Sequence, residues 1–185
     1  KEDVVYQPGT NWKYQGGNTI LLSLILKEAT GMPVSEYFSK KLWQPIGAKQ
    51  NALWSLDHQD GNEKGYCCVF SDALDFARIG KLMLHNGNWE GTQIMDTSFV
   101  LESAIPVNTP NQQGEITDHY GYAWWLMKYK GLDIFYARGI LGQYTLIIPQ
   151  KELVVVRLGH KRIREKGAKH PKDVYFYIDA ALELI

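Results

Sequence analysis

The sequence has 185 residues, of which 45% are hydrophobic and 22% are charged, a composition typical of one folded globular domain and not of a disordered or fibrous chain. Its 20 basic and 20 acidic residues give a formal net charge of zero, so nothing in the composition favours a nucleic-acid partner. The apolar runs, such as residues 21–26, are shorter than the roughly 20 residues that a membrane-spanning helix needs, so no membrane span is predicted.

In chain order, the first two predicted elements are helices. The first extends over residues 18–30 and ends at Gly31, a residue type favoured just after a helix. Its apolar residues cover more than one face, so we expect it to be well buried. The second helix extends over residues 33–43, with Pro33 in its first turn, where proline is favoured.

Two further helices complete the first part of the chain. A third helix is expected over residues 71–85, capped by Ser71 and terminated by the pair Asn86-Gly87. A shorter helix is expected after Asp96. Residues 1–120 are therefore predicted to be mostly helical.

After Gly121 the pattern changes to strands. Four short segments rich in aromatic and β-branched residues cover residues 122–129, 133–137, 144–148 and 153–158. Their short connections favour antiparallel pairing as a meander. A last amphipathic helix is expected over residues 171–184. We predict one α+β (mixed α/β) domain over residues 1–185, in which helices flank an antiparallel sheet that lies, with the closing helix, within residues 121–185.

Neither the cysteines nor the histidines predict a metal or cofactor site. Cys67 and Cys68 are adjacent, whereas ordinary disulfides join Cα atoms about 5.5 Å apart, so we expect no disulfide. The five histidines are scattered, without the paired spacing that zinc sites show. A thiol nucleophile beside a histidine is an open alternative, although the cysteines lie in an apolar run typical of buried structure. The stretch Gly16-Gly17-Asn18 before a helix is a weak phosphate-binding signal.

Several motifs, in order along the chain, resemble the serine β-lactamase and penicillin-binding-protein family. The stretch PGTNWKY at residues 8–14, followed by a Leu-rich helix ending in Thr-Gly, is similar to that family's second conserved box. The stretch FARIGKLML at residues 76–84 resembles a later helix of the family. YGYAWW at 120–125 and YARG at 136–139 resemble the closing sheet of its esterase and amidase branch, which includes 6-aminohexanoate-dimer hydrolases. The resemblance implies a β-lactamase/transpeptidase-like fold that is truncated at its N-terminus.

The resemblance gives Tyr14 the role of the family's conserved tyrosine, which activates the nucleophile or carries the leaving-group proton. An unperturbed phenol has a pKa near 10, so it acts as a base at neutral pH only beside a cation. In the family, the lysine of a Ser-x-x-Lys box provides that cation. The alternative interpretation of Tyr14 is a structural tyrosine whose hydroxyl is satisfied.

The third family box, a strand-borne Lys-Thr-Gly or His-x-Gly, has Ile140-Leu141-Gly142 as its counterpart here. The resemblance then makes the backbone amide of Gln143 an oxyanion donor, a role that needs no particular side chain. Leu141 and Gly142 are expected beside the substrate. The absence of Lys, Thr and His puts recognition of an acidic substrate in doubt. Arg138 is nearby, but the direction of its side chain stays open.

Other substrate contacts follow from the same resemblance. The family often has Asn or Ser two positions after the tyrosine, where this chain has Gly16, and Asn18 or Gln15 is a candidate replacement. Trp124 is predicted to wall the cleft. Trp125 is the alternative, because neighbouring residues of a strand face opposite ways and only one of the two indoles can do so.

The nucleophile of the family is absent from this sequence. None of its seven serines is followed three residues later by lysine, and no Gly-x-Ser-x-Gly elbow is present. In the family, the Ser-x-x-Lys box precedes the tyrosine box. Because the sequence begins with Lys1 and not with Met, we expect that box upstream and the chain by itself to be inactive.

The sequence therefore predicts the C-terminal part of a serine hydrolase that cleaves an ester or amide through an acyl-enzyme. The alternative is a catalytically dead binding or regulatory domain, which the unusual third box favours. Expected partners are a small-molecule ester or amide, the missing N-terminal segment and a second copy, joined through an uncovered sheet edge and a closing helix whose Val174, Tyr175 and Ile178 are partly exposed. No cofactor is expected, and the family implies a bacterial periplasmic or secreted location.

Overall fold

A computed structural model describes residues 5–163 and 167–185. The first part contains helices α1 (Gly16–Thr30), α2 (Val34–Phe38) with a following π-helical turn (Ser39–Trp43), and α3 (Ala73–Leu84). One short strand pair, β1 (Leu53–Trp54) and β2 (Val69–Phe70), precedes α3. A second pair, β3 (Asn88–Trp89) and β4 (Thr92–Gln93), precedes helix α4 (Thr97–Ser103). Within these described ranges, no helix has the length and apolarity needed to cross a membrane.

The second part is a four-stranded antiparallel meander followed by a helix, as the sequence predicts. Its strands are neighbours in chain order: β5 (Trp125–Tyr129), β6 (Leu132–Gly139), β7 (Gln143–Ile148) and β8 (Leu153–Arg157). A 3-10 turn (Pro149–Lys151) joins the last two strands, and helix α5 (Lys172–Leu182) closes the chain. The predicted α+β class, with helices flanking an antiparallel sheet, is confirmed.

Each face of the meander packs on different helices, because side chains alternate along a strand. One face packs on α5, where Val174 and Ile178 are fully buried. The expected partial exposure of these two residues is therefore wrong, since the sheet itself covers that side of the helix. The other face packs on α3 and α4. Gly80 lets α3 come close to β8, because a Cβ there would lie 2.5 Å from Val154.

Asp75 ties the start of α3 to the chain before β1. Its carboxylate is fully buried and accepts hydrogen bonds from the amides of Lys49 and Gln50, both at 2.8 Å. Arg78 pairs with it at 2.8 Å. Burial opposes ionisation of Asp75, but these donors outweigh it and hold the pKa of the carboxyl below its usual value. The carboxylate is thus a charged anchor inside the fold.

The cap of α3 is one residue away from the prediction. Asp72, and not Ser71, is the N-cap, and its side chain accepts a hydrogen bond from the Asp75 amide at 2.8 Å. Both residue types are good caps, so the sequence alone does not separate them.

Helix α1 is far less buried than predicted. It begins at Gly16, two residues earlier than expected, and none of its residues is buried. Leu21, Leu22 and Ile25 are each more than half exposed. Helix α1 contacts α2 and the loop between β1 and β2, and these contacts leave the three side chains exposed. Apolar residues on several faces of a helix need several partners to be buried, and the described residues cover α1 on too few sides.

Cys67 and Cys68 are joined by a disulfide, so the expectation of no disulfide is wrong. Ordinary bridges join Cα atoms about 5.5 Å apart. Here the two Cα atoms are 3.7 Å apart, and Cys68 adopts a left-handed backbone conformation with φ of 74°. Neither cysteine has a free thiol, which removes the alternative of a thiol nucleophile in this oxidised form.

Candidate functional site

Tyr14 lies in the segment that leads into α1, with its ring on an aromatic surface. The ring centroids of Tyr14 and Trp125 are 5.4 Å apart, and those of Tyr14 and Tyr120 are 5.8 Å apart. Tyr14 is 56% exposed. Across residues 5–163 and 167–185, its hydroxyl makes no hydrogen bond with another side chain or the backbone. The phenol is therefore open to a partner from solution.

Trp12 holds the Tyr14 segment against the loop that precedes β5. Its backbone amide donates to the carbonyl of Pro110 at 2.9 Å. Its ring contacts those of His119 and Tyr120, with centroid distances of 5.3 and 5.4 Å. The same loop thus provides the attachment for Trp12 and one of the two rings that Tyr14 contacts.

Tyr120 is the more buried of the two neighbouring phenols. Burial raises the pKa of Tyr120 to about 12, and the adjacent phenol of Tyr14 adds to the shift. Tyr120 therefore stays protonated at physiological pH and acts as a wall. Of the two phenols, Tyr14 is the one exposed to solvent.

Trp125, and not Trp124, lies beside Tyr14. Strand β5 begins at Trp125, whose side chain points to the face that packs on α5. Trp124 instead packs on Phe135 with a centroid distance of 5.4 Å, as part of the cluster on the opposite face. The structure therefore brings the alternative tryptophan to Tyr14, and Trp124, predicted as the cleft wall, is placed on the α3 and α4 side.

Arg138 points to the same face as Trp125, the direction that the sequence leaves open. Its guanidinium carbon lies 3.9 Å from the Trp125 ring centroid, a cation–π contact. It also donates a hydrogen bond to the carbonyl of Lys169 at 3.1 Å. Arg138 thus connects the end of β6 to the aromatic surface under Tyr14.

Two histidines that are distant in sequence meet beside this surface. The ring of His119 stacks on Trp125 at 6.0 Å and approaches the ring of His170 at 6.4 Å. The Nδ1 atom of His170 is 2.9 Å from the hydroxyl of Tyr136. Burial lowers the pKa of His170 to about 4, and the nearby His119 and Arg138 add to the shift, so His170 is neutral at physiological pH. No spacing in the sequence indicates this cluster, because residues far apart in sequence build it.

The described residues contain no group of three or more His, Cys, Asp or Glu side chains that could hold a metal ion.

Gly16 and Asn18 lie in the first turn of α1, close in sequence to Tyr14. A Cβ on Gly16 would stand 3.4 Å from the ring of Tyr66, so Tyr66 borders this turn. Asn18 is exposed. Tyr66 comes from the loop between β1 and β2, and the sequence gives no sign that this loop reaches the start of α1.

The turn between β6 and β7 is held by its neighbours in β8 and beyond. The side-chain amide of Gln143 donates to the carbonyl of Gly159, and the amide of Gly159 donates back to Oε1 of Gln143 at 2.9 Å. Arg157 donates to the carbonyls of Gly142 at 2.6 Å and Leu141 at 3.2 Å. The side chain of Gln143 is thus structural, and its backbone amide stays the candidate oxyanion donor.

The predicted site residues form two groups. Tyr14, Gly16 and Asn18 lie at the start of α1, whereas Leu141, Gly142 and Gln143 lie at the turn after β6. Strand β6 connects the groups, because Arg138 lies on Trp125 while the next residue, Gly139, pairs with Gln143. Within the described residues, no hydrogen bond or ring contact joins Tyr14 directly to Gln143.

A family model described as Beta-lactamase matches residues 1–177. A solved structure from Bacillus anthracis, provisionally described as a 6-aminohexanoate-dimer hydrolase, is similar with a TM-score of 0.81 and 27% identity, over 98% of this chain and 46% of that chain. A structure from Bacteroides dorei, provisionally described as a beta-lactamase, has a TM-score of 0.75 and 18% identity, over 97% of this chain and 60% of that chain. At 18% identity the likeness concerns the fold alone.

A curated relative from Salmonella typhi is provisionally described as a D-alanyl-D-alanine carboxypeptidase. It is 22% identical over 144 residues, which cover 55% of this chain and 33% of the relative. The match thus spans about a third of that relative, and the match to the Bacillus anthracis structure spans less than half of it.

Proposed function

Because this chain belongs to the beta-lactamase family, we propose that it is the C-terminal part of a serine hydrolase that cleaves an ester or amide bond through an acyl-enzyme. The β-lactamase/transpeptidase-like fold is shared with both solved structures. The hydrolase class is that of its relatives. The observation that carries the proposal is the exposed phenol of Tyr14, which lies on Trp125 and is not engaged by any described hydrogen-bonding group.

The nucleophile in this proposal comes from a segment that precedes Lys1. No serine of the chain has a lysine three residues later, and the relatives contain much additional length beyond the matched part. The open apolar side chains of α1, which begins two residues after Tyr14, are a suitable surface for such a segment.

Tyr14 is the proposed proton carrier. The serine hydroxyl attacks the substrate carbonyl, its proton passes to the base, and the same proton reaches the leaving group as the acyl-enzyme forms. Water then attacks the carbonyl of the acyl-enzyme, its proton passes through the base to the serine oxygen, and the acid is released. A phenol performs this at neutral pH only beside a cation, and the lysine of the upstream box is the proposed source of that charge.

The turn after β6 is the proposed oxyanion side of the site. The backbone amide of Gln143 would donate to the developing negative charge, and a fixed donor is more effective than a mobile one. The hydrogen bonds from Arg157 and Gly159 that hold this turn support that role. Gly16, Asn18, Leu141 and Gly142 are proposed to contact the substrate. Trp125 takes the place proposed for Trp124 beside Tyr14.

The second candidate function is a binding or regulatory domain without catalysis. Ile140 and Leu141 favour it, because the family box that they replace carries Lys, Thr or His. The two functions differ in what precedes the chain: a Ser-x-x-Lys box supports the hydrolase, and its absence supports the binding domain.

The test uses the longer protein that contains this chain and its upstream segment. A fluorophosphonate probe followed by peptide mapping should label one serine upstream of Lys1, and the 185-residue chain alone should remain unlabelled. Turnover should be measured on a p-nitrophenyl ester, a chromogenic cephalosporin and a short linear amide such as a 6-aminohexanoate dimer. Stoichiometric labelling of any of the seven serines of this chain would contradict the proposed source of the nucleophile.

A further inference from the structure

The loop between β1 and β2 carries the disulfide of Cys67 and Cys68 and is anchored on β1. The indole nitrogen of Trp54 donates to the carbonyls of Cys67 at 3.0 Å and Lys64 at 3.2 Å. The amide of Ser55 donates to the carbonyl of Cys68 at 3.0 Å. Both cysteine carbonyls are thus held by consecutive residues at β1.

A tight turn directly before the disulfide presses on α1. The amide of Cys67 donates to the carbonyl of Lys64 at 2.9 Å, which closes a turn with Gly65 and Tyr66 at its centre. A Cβ on Gly65 would lie 2.5 Å from the hydroxyl of Ser23 in α1. The turn therefore follows the surface of the helix so closely that a side chain does not fit at its first central position.

Tyr66 occupies the second central position of this turn and reaches the start of α1. Its ring lies 3.4 Å from where a Cβ on Gly16 would stand, and the residue is 49% exposed. Gly16 follows Tyr14 by two residues. The loop with the disulfide thus supplies an aromatic side chain next to the segment that carries Tyr14.

We propose that Cys67 and Cys68 form a thiol–disulfide exchange site whose redox state determines how firmly Tyr66 is held at the start of α1. Cys68 has φ of 74°, in the left-handed region that residues with a Cβ disfavour. The ring closed between the two adjacent cysteines keeps the backbone in this region. When the ring opens, Cys68 is free to leave the left-handed region. The hydrogen bonds that hold the turn, from the Trp54 indole and from the Cys67 amide to the carbonyl of Lys64, are then released.

The proposed co-reactant of the exchange is a dithiol. One thiolate of the dithiol attacks a cysteine sulfur, the protein disulfide breaks, and a mixed disulfide forms. The second thiol of the reductant resolves it, so that two electrons and two protons pass to the protein and the reductant leaves as a disulfide. Both cysteines are partly exposed, which gives the reductant access. The exchange at Cys67 and Cys68 can be measured without any hydrolase activity.

The test compares the air-oxidised chain with the same chain treated with dithiothreitol. Maleimide labelling first establishes the redox state of both cysteines. Hydrogen exchange followed by mass spectrometry then measures the protection of residues 62–68 and 16–23. We expect reduction to increase exchange there by about tenfold or more, as for a local opening, and to leave β5–β8 unchanged. Equal exchange in both states, or two reactive thiols in the air-oxidised chain, overturns the proposal.

Two double variants separate the backbone effect from the loss of sulfur. Neither Cys67→Ser with Cys68→Gly nor Cys67→Ser with Cys68→Ser forms a disulfide. Glycine adopts positive φ without a steric penalty, so the glycine variant is expected to keep the exchange pattern of the oxidised chain. The serine variant is expected to match the reduced chain. Protection of the serine variant at the level of the oxidised chain would show that the disulfide does not hold the turn.

Discussion

Arg138 lies over the indole of Trp125, with 3.9 Å between its guanidinium carbon and the ring centroid. Tyr14 packs on the same indole at 5.4 Å. Trp125 is opposite Tyr136 in the pairing of β5 and β6, so Arg138 follows two residues later on the same face of the sheet. Trp125 is therefore the shared contact through which the sheet positions the segment of Tyr14.

Replacement of Trp125 by leucine is expected to displace Tyr14, and Trp124→Leu is the matched control. Both substitutions remove much of an indole from a packed cluster, so each should lower the free energy of unfolding by an amount on the order of 2 kcal/mol. In the proposed longer hydrolase, only Trp125→Leu should also lower kcat, by about tenfold or more, through misplacement of Tyr14. Urea unfolding and steady-state kinetics measure the two effects. Equal losses of kcat would show that Trp125 has no special role in positioning.

Tyr14→Phe is expected to lower kcat of the proposed longer hydrolase by roughly 10²- to 10⁴-fold, the usual loss for a general acid or base. The midpoint of urea unfolding should stay the same, because an exposed hydroxyl without a described partner is removed. Tyr122→Phe is the control, since Tyr122 is similarly exposed, at 53%, and is not proposed to act on the substrate. Near-normal kcat in Tyr14→Phe would support the structural interpretation of this residue.

The partly buried ring of His170 predicts a loss of stability in mild acid. Its pKa is lowered from 6.5 to about 4 in the folded chain, so the unfolded chain binds the proton more tightly. Stability is then full above about pH 6.5 and falls as the pH drops towards about 4. Between pH 7.5 and pH 5 the expected loss is roughly 2 kcal/mol. The charged or titratable groups near the ring are Tyr136, His119, Arg138, Lys169 and Asp118.

Urea unfolding at the two pH values tests this prediction with two variants. His170→Gln should remove most of the pH dependence, whereas His58→Gln should keep it, because the side chain of His58 is 72% exposed. The same pH dependence in wild type and His170→Gln would assign the effect to another group.

Asp75→Asn should destabilise the chain by about 3 kcal/mol, because it leaves Arg78 without its buried partner. The asparagine side chain also has one acceptor oxygen, whereas the two carboxylate oxygens of Asp75 accept hydrogen bonds from two backbone amides. The pKa of Asp75 is lowered in the folded state. The ionised carboxylate therefore stabilises the fold above its unfolded-state pKa near 3.9, and this stabilisation is lost at lower pH. Thermal unfolding at neutral pH compares it with Asp60→Asn, an exposed carboxylate. A loss under 1 kcal/mol would contradict the assigned role.

The closing sheet could be predicted from the sequence because its strands are local. Each strand has a distinct apolar and β-branched pattern, and short turns fix antiparallel neighbours, so the meander follows from residues 121–158 alone. The bounds of α1, α3 and α5 also follow from local signals, to within two residues. These signals, the hydrophobic period and the residues at the helix ends, act between residues that are close in the chain.

The surroundings of Tyr14 depend on contacts between distant residues, which a single sequence does not encode locally. The motif identifies Tyr14 itself, yet the contact of Gly16 with Tyr66 spans 50 positions and that of His119 with His170 spans 51. The choice between Trp124 and Trp125 depends on where β5 begins, because a shift of one residue moves a side chain to the other face. The disulfide does not follow from the usual Cα separation of about 5.5 Å, because adjacent residues such as Cys67 and Cys68 lie closer, at 3.7 Å.

The apolar surface of α1 predicts that the chain alone associates. Leu21, Leu22 and Ile25 are exposed on one helix, and β8 is the last strand of the meander, with one edge unpaired among the described strands. Exposed patches and open strand edges both favour pairing with another chain. We expect a dimer or larger assembly at micromolar concentration, or a complex with the upstream segment when it is supplied. Light scattering after size exclusion distinguishes these from a monomer of 21.1 kDa.

Leu22→Glu should weaken this association, because assembly would bury the new charge in an apolar contact. Leu74→Glu is the matched control, since Leu74 is 73% exposed on a different helix, α3. Leu22→Glu is expected to raise the dissociation constant of the assembly by tenfold or more, because a desolvation penalty above about 1.4 kcal/mol corresponds to at least that factor. Leu74→Glu should leave the dissociation constant of the assembly unchanged. A wild-type chain that stays monomeric and binds no hydrophobic dye would show that α1 needs no partner. Equal weakening by both substitutions would place the contact elsewhere.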